Sequence, residues 1–174
     1  IHRISDLTRG ALIAPGATFS VNDFVGRRTA EKGFVSAGVI EDGEFKDDFG
    51  GGVSQFATTL FNAAFFGGYD IPDYKAHSVY ISRYPFGREA TLAYPHVDLK
   101  IRNDSPYGVV IWPTYTGSSV TVTLYSTKWA TGQVSSGPTA SETSDKVPQG
   151  CGTVKTVRKV IKLASGESSK DTFY

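Results

Sequence analysis

The chain has 174 residues, 40% of them hydrophobic, with 18 Lys and Arg against 17 Asp and Glu. That length suits one domain with a real core, and the nearly cancelling charges argue against the basic footprint of a nucleic-acid binder. A single cysteine, Cys151, excludes an internal disulfide framework; with only three histidines there is no cysteine-rich zinc site, and neither a metal nor a cofactor is expected.

Nine Tyr and eleven Phe among abundant Ser, Thr and Gly fit a β-rich, exported protein. No stretch is apolar for long enough to span a membrane. The chain starts at Ile1 and contains no Met, so it is expected to be a fragment of something longer, with any signal peptide or anchor upstream of it.

In chain order, Ile4, Leu7, Ala11 and Leu12 recur at helical spacing up to Pro15-Gly16. Phe19 and Val21 alternate with polar neighbours in a short extended piece, and Arg27, Arg28, Glu31 and Lys32 make a polar turn. FVSAGVI reads as a strand, returned by Glu41-Asp42-Gly43 into Glu44-Phe45-Lys46.

The centre of the chain is FGGGVSQFATTLFNAAFFGG, from Phe49 to Gly68. Val53, Phe56, Ala57, Leu60 and Ala64 form one apolar helical face, and Phe61, Phe65 and Phe66 spread it around the cylinder, as in a buried helix. The spacing predicts a helix from about Val53 to Phe66, ended by Gly67-Gly68. Gln55, Thr58, Thr59 and Asn62 make a polar stripe that must either tie down neighbouring loops or line a site. Ser54, after Gly50-Gly51-Gly52, is either a helix cap or a nucleophile held where free N–H groups favour negative charge. The glycine run has neither P-loop nor dinucleotide-binding spacing.

Period-two alternation follows in Tyr74–Ser82, Glu89–Tyr94 and Val97–Asn103. Gly108–Tyr115 and Ser119–Thr127 form a hairpin across Gly117-Ser118, with Pro113 marking an edge or bulge. The sum is an α+β fold, a central helix packed on one antiparallel β-sheet, with residues 1–129 as the main domain. Residues 130–152, rich in Ser, Thr, Gly and Pro, read as a long loop. Residues 153–174 read as a C-terminal β-hairpin extension. Its Lys155, Arg158, Lys159 and Lys162 read as a solvated basic edge that discourages strand pairing.

Four separated motifs, APGATFSVNDFVGRRTAEKGF, GGGVSQFATTLFNAAFFGG, HSVYISRYPFGREATLAY and DLKIRNDSPYGVVI, together resemble the VanW-like domain, from about Leu12 to Tyr125. The resemblance implies a bacterial cell-envelope protein, exported or anchored to the membrane outside this segment, of a family named after an accessory gene of vancomycin resistance. Many relatives carry Cys where this chain has Ser54, and a serine hydroxyl is much harder to ionise than a thiol.

Two functional readings result. In the first, Ser54 attacks an acyl carbon, His77 is the base and Asp98 orients His77, in the chain order of transglutaminase-like and papain-like folds. Gln55 and the helix-start N–H groups hold the oxyanion, and the reaction is acyl transfer or amide hydrolysis on peptidoglycan stem peptides or precursors. In the second, the domain binds or scaffolds the wall without catalysis, aromatic side chains meeting sugars and arginines meeting carboxylates. The residues expected to touch the wall ligand are Gly51, Gly52, Gln55, Thr58, Ser78, Tyr80, Arg83 and Arg88. No nucleic-acid partner is expected.

Overall fold

A computed structural model describes residues 1–41, 44–78, 81–140 and 154–174. The elements run α1 His2–Thr8, β1 Ala11–Ile13, β2 Thr18–Ser20, α2 Val21–Val25, β3 Ala37–Glu41, β4 Glu44–Asp48 and α3 Val53–Gly67. They continue with β5 Asp70–Asp73, β6 Lys100–Arg102, β7 Val109–Tyr115, β8 Val120–Tyr125, β9 Ala130–Ala140, β10 Val154–Lys162 and β11 Ser168–Phe173. The fold is α+β, with α3 at its centre.

The strands do not form the single sheet expected. They make four small antiparallel sheets, ordered β1-β7-β8, β2-β6-β5, β3-β4 and β9-β10-β11. The helix fills the space between them: Val53, Phe56, Ala57, Leu60, Phe61, Ala64 and Phe65 are each at most 1% exposed. They share one core with Ile4, Ile13, Val21, Leu99, Ile101, Val109, Ile111 and Phe173. A helix apolar on so many sides needs covering on several faces, and short sheets meet that need where one flat sheet would cover only one.

Four sequence expectations change. Ala11 and Leu12 belong to strand β1, because Gly10, at a positive φ of 84°, ends the first helix after one apolar turn. Among the described residues, Tyr74–Ser82 and Glu89–Tyr94 form no strand. Their backbones bond to side chains and to each other at isolated points, as when Thr91 N–H donates to Lys75 O at 2.7 Å. Residues 130–140, expected to be loop, form β9 along β10. Their polar composition hides a strand whose residues Gln133–Ser136 all face solvent. Finally, β10 is the middle strand of its sheet rather than an edge, and Arg158 is only 2% exposed. The expected turn at Asp42-Gly43 lies outside the described residues.

The C-terminal sheet is fastened to α3 by that arginine. Arg158 Nη1 donates to Phe65 O at 3.2 Å and Tyr69 O at 2.9 Å, near the end of the helix where carbonyls lack helical partners. Its Nε and Nη2 donate to Asp171 Oδ2 at 3.0 and 2.6 Å, and the guanidinium lies 5.3 and 5.1 Å from the ring centres of Phe65 and Phe173, which themselves pack together. Gly132 of β9 passes so close to Phe65 O that a side chain there would collide with it.

Candidate functional site

The glycine run is shaped by the protein's own packing. Gly52 is the residue before the helix and takes the left-handed conformation, φ 77°, that glycine adopts without steric cost. A Cβ on Gly51 would sit 2.5 Å from the backbone of Ala37, so the absent side chain there admits strand β3. Ser54 lies one residue inside the helix and makes no cap bond. Its Oγ instead accepts from Leu92 N–H at 3.2 Å.

That bond is the first of four, made at three positions on the helix. One helical turn on, Thr58 Oγ1 both accepts from Ala90 N–H and donates to Ala90 O, each at 3.1 Å. Another turn on, Asn62 Nδ2 donates to Arg88 O at 3.0 Å. Ser54, Thr58 and Asn62 stand four residues apart on one line of the helix surface. Residues 88, 90 and 92 stand two apart on one side of an extended chain. The polar stripe is therefore a rail that holds an extended segment by its backbone, and Thr58 is buried in the process.

The rail positions the preceding loop. Thr156 Oγ1 of β10 donates to Gly87 O at 2.9 Å, and two tight turns close through Tyr84 N–H to Ile81 O and Arg88 N–H to Pro85 O, both at 3.0 Å. Between these anchors Ser82, Arg83, Pro85 and Phe86 face outward. Arg88 lies back over the ring of Phe66 at 5.0 Å, with Phe65 further in at 5.8 Å. Ser78 is exposed and Gln55 half-buried; Tyr80 lies outside the described residues.

His77 sits under this loop with a partner that sequence reasoning did not assign. Its Nδ1 is 3.2 Å from Glu89 Oε2, an ion-pair distance without hydrogen-bond alignment, while its backbone N–H donates to Glu89 Oε1 at 3.0 Å. The ring stacks on Tyr84 at 5.0 Å. Burial pushes the Tyr84 phenol above its usual range; Arg83 opposes that shift and Glu89 adds to it. The missed signal is Glu89 itself, one residue away from two rail-bound positions and so turned to the other side of the extended segment.

Asp98 has a different occupation. Its Oδ1 accepts from Asn22 N–H at 2.9 Å and Leu99 N–H at 2.8 Å, and Oδ2 from Ser20 Oγ at 2.5 Å, which ties β2 and the start of α2 to the chain before β6. Among the described residues no hydrogen bond or ion pair joins any two of Ser54, His77 and Asp98, and no group of three or more His, Cys, Asp and Glu is placed to hold a metal. His96 is exposed in the turn after Tyr94. No helix among those residues is long and apolar enough to cross a membrane.

Fold and site together define an α+β domain whose central helix grips an extended segment and thereby displays a loop. A family model described as VanW like protein matches residues 1–125, and the chain belongs to that family. It is 36% identical over 115 residues to the uncharacterized protein YoaR of Bacillus subtilis (strain 168), a match covering 66% of this chain and 38% of that protein. No solved structure matches significantly. Membership in this family points to a cell-envelope role.

Proposed function

We propose that this domain is a non-catalytic, extracytoplasmic module that binds peptidoglycan or its stem peptides through the loop of residues 81–88. The observation that carries the reading is the hydrogen bond from Leu92 N–H to Ser54 Oγ. It gives the serine a structural task that needs neither a base nor a substrate. The rail that Ser54 shares with Thr58 and Asn62 holds the loop where Arg83 faces solvent. An exposed guanidinium on the same loop as an outward-facing aromatic ring, Phe86, suits a stem-peptide carboxylate next to a sugar face.

A second reading is kept alive by the pair of His77 and Glu89. A carboxylate 3.2 Å from Nδ1 orients a histidine as a general base requires, with Glu89 in the place assigned to Asp98. In that reading Ser54 exchanges its bond to Leu92 for the role of nucleophile in acyl transfer or amide hydrolysis.

Incubation with purified peptidoglycan separates the two. The binding reading expects the protein to sediment with the polymer and to leave the muropeptide pattern unchanged by mass spectrometry. New muropeptides that disappear with Ser54→Ala and with His77→Ala, and persist with Ser54→Cys, would establish the enzyme instead.

A further inference from the structure

A buried guanidinium with unused donors stands at Arg28, on the turn after α2. The side chain is 8% exposed, yet only one corner of the guanidinium is used: Nη1 donates to Asn22 Oδ1 at 2.6 Å and to Gly26 O at 3.1 Å. Nε and Nη2 have no hydrogen-bond partner among the described residues. Burial accordingly lowers the Arg28 pKa, with Asp98 and Tyr94 acting in the opposite direction. Asp98, the nearby carboxylate, does not close the fork: its oxygens are bonded to Ser20, Asn22 and Leu99.

Nε and Nη2 share one edge of the guanidinium and point the same way. That edge is the one that takes both oxygens of a planar carboxylate in parallel. A buried, charged donor pair without an acceptor is costly, and an incoming anion would offset that cost as it binds. The surroundings favour such an anion. Arg27 stands 5.8 Å from the Tyr94 ring centre and Arg28 6.0 Å, so one ring lies against two cations. Lys32 Nζ is held close by, at 2.9 Å from Val25 O. Tyr94 is 44% exposed, and it begins a turn through Pro95 and His96 that presents all three side chains to water. Movement of that exposed ring, 6.0 Å from Arg28, is the opening that the proposal requires.

We infer that the Arg28 fork, beneath Tyr94 and beside Arg27, is a binding site for the free carboxylate of a peptide or small acid. The site lies on residues separate from the 81–88 loop and stands independently of the wall-binding reading. Its test is a titration of the whole chain with acetyl-alanyl-alanine, with the C-terminal amide of the same dipeptide as control, following the Arg Nε–H resonances by NMR. The free acid should shift the Arg28 signal saturably and the amide should not. Arg28→Lys, which keeps the charge and loses the fork and is followed through the neighbouring Arg27 Nε–H signal, should weaken binding at least about tenfold. Tyr94→Ala, which removes the ring against Arg28 and leaves the N–H groups of the fork in place, should bind the acid at least as well as wild type.

Because the wild-type titration needs no variant to fold, it decides the matter alone if Arg28→Lys is unstable. An equal response to acid and amide would overturn the site. So would no saturable shift in either wild type or Tyr94→Ala, or an Arg28→Lys protein that titrates like wild type.

Discussion

The hydroxyl of Thr58 makes two hydrogen bonds to one residue, accepting from the N–H of Ala90 and donating to its C=O, both at 3.1 Å. A backbone residue is thus paired on both its polar groups by a single side chain, inside a core where each unpaired group would be costly. The bond explains why a threonine occupies a buried position on a helix otherwise lined with Phe, Leu and Ala.

Replacing Thr58 with Val keeps the shape and removes both bonds. The expected loss is about 1–3 kcal/mol of unfolding free energy for the orphaned groups, read by urea denaturation, together with faster amide exchange at Ala90. A Thr58→Val protein as stable as wild type would show that the segment of residues 88–92 is held by something else.

Arg158 makes the second prediction. Removing Asp171 leaves a guanidinium that is 2% exposed without its carboxylate, whose own side chain is 41% exposed. Breaking a buried pair from one side typically costs 3–5 kcal/mol, and water reaching the vacated side favours the lower end. Asp171→Ala should therefore cost about 3 kcal/mol in a single cooperative transition. A separate early transition of the C-terminal strands would contradict the view that β9-β10-β11 folds as one unit with α3.

Much of this was legible in the chain, for reasons that differ by element. The helix showed through because its apolar face is almost entirely buried, so its period is undiluted; the prediction from Val53 to Phe66 misses only Gly67. The hairpin of β7 and β8 showed through because one face of β7 is buried, with Val109, Ile111 and Pro113 inward. The segment after Tyr74 alternates like a strand, yet its neighbours are side chains: Glu89 takes the N–H of His77. Arg158 reads as surface charge because the carbonyls that it binds, on Phe65 and Tyr69, are 93 and 89 residues away in sequence. The proposed order of Ser54, His77 and Asp98 was a statement of sequence order. Spatial pairing gave Leu92, Glu89 and Asn22 as the respective partners.

Alkaline pH supplies a third prediction. Burial raises the phenol pKa of Tyr69, Tyr74 and Tyr84 above 10.0. Above that pH the unfolded chain releases protons that the folded chain retains, so stability present below it falls as pH rises further. The melting temperature should drop steeply above about pH 10, and Tyr74→Phe should make the drop shallower. A flat profile, or an unchanged slope in the variant, would contradict the assigned burial.

The central claim is that the rail on α3 displays the 81–88 loop for binding the wall, and the most direct measurement is sedimentation of the protein with purified peptidoglycan, wild type against Arg83→Ala. Arg83 is exposed and makes no hydrogen bond or ion pair among the described residues, so circular dichroism and melting temperature should not change. Losing a charge-assisted pair of about 1.5–3 kcal/mol should weaken binding by about 10- to 100-fold, with Arg83→Lys in between. Wild type that does not sediment, or Arg83→Ala that sediments like wild type, would contradict the account.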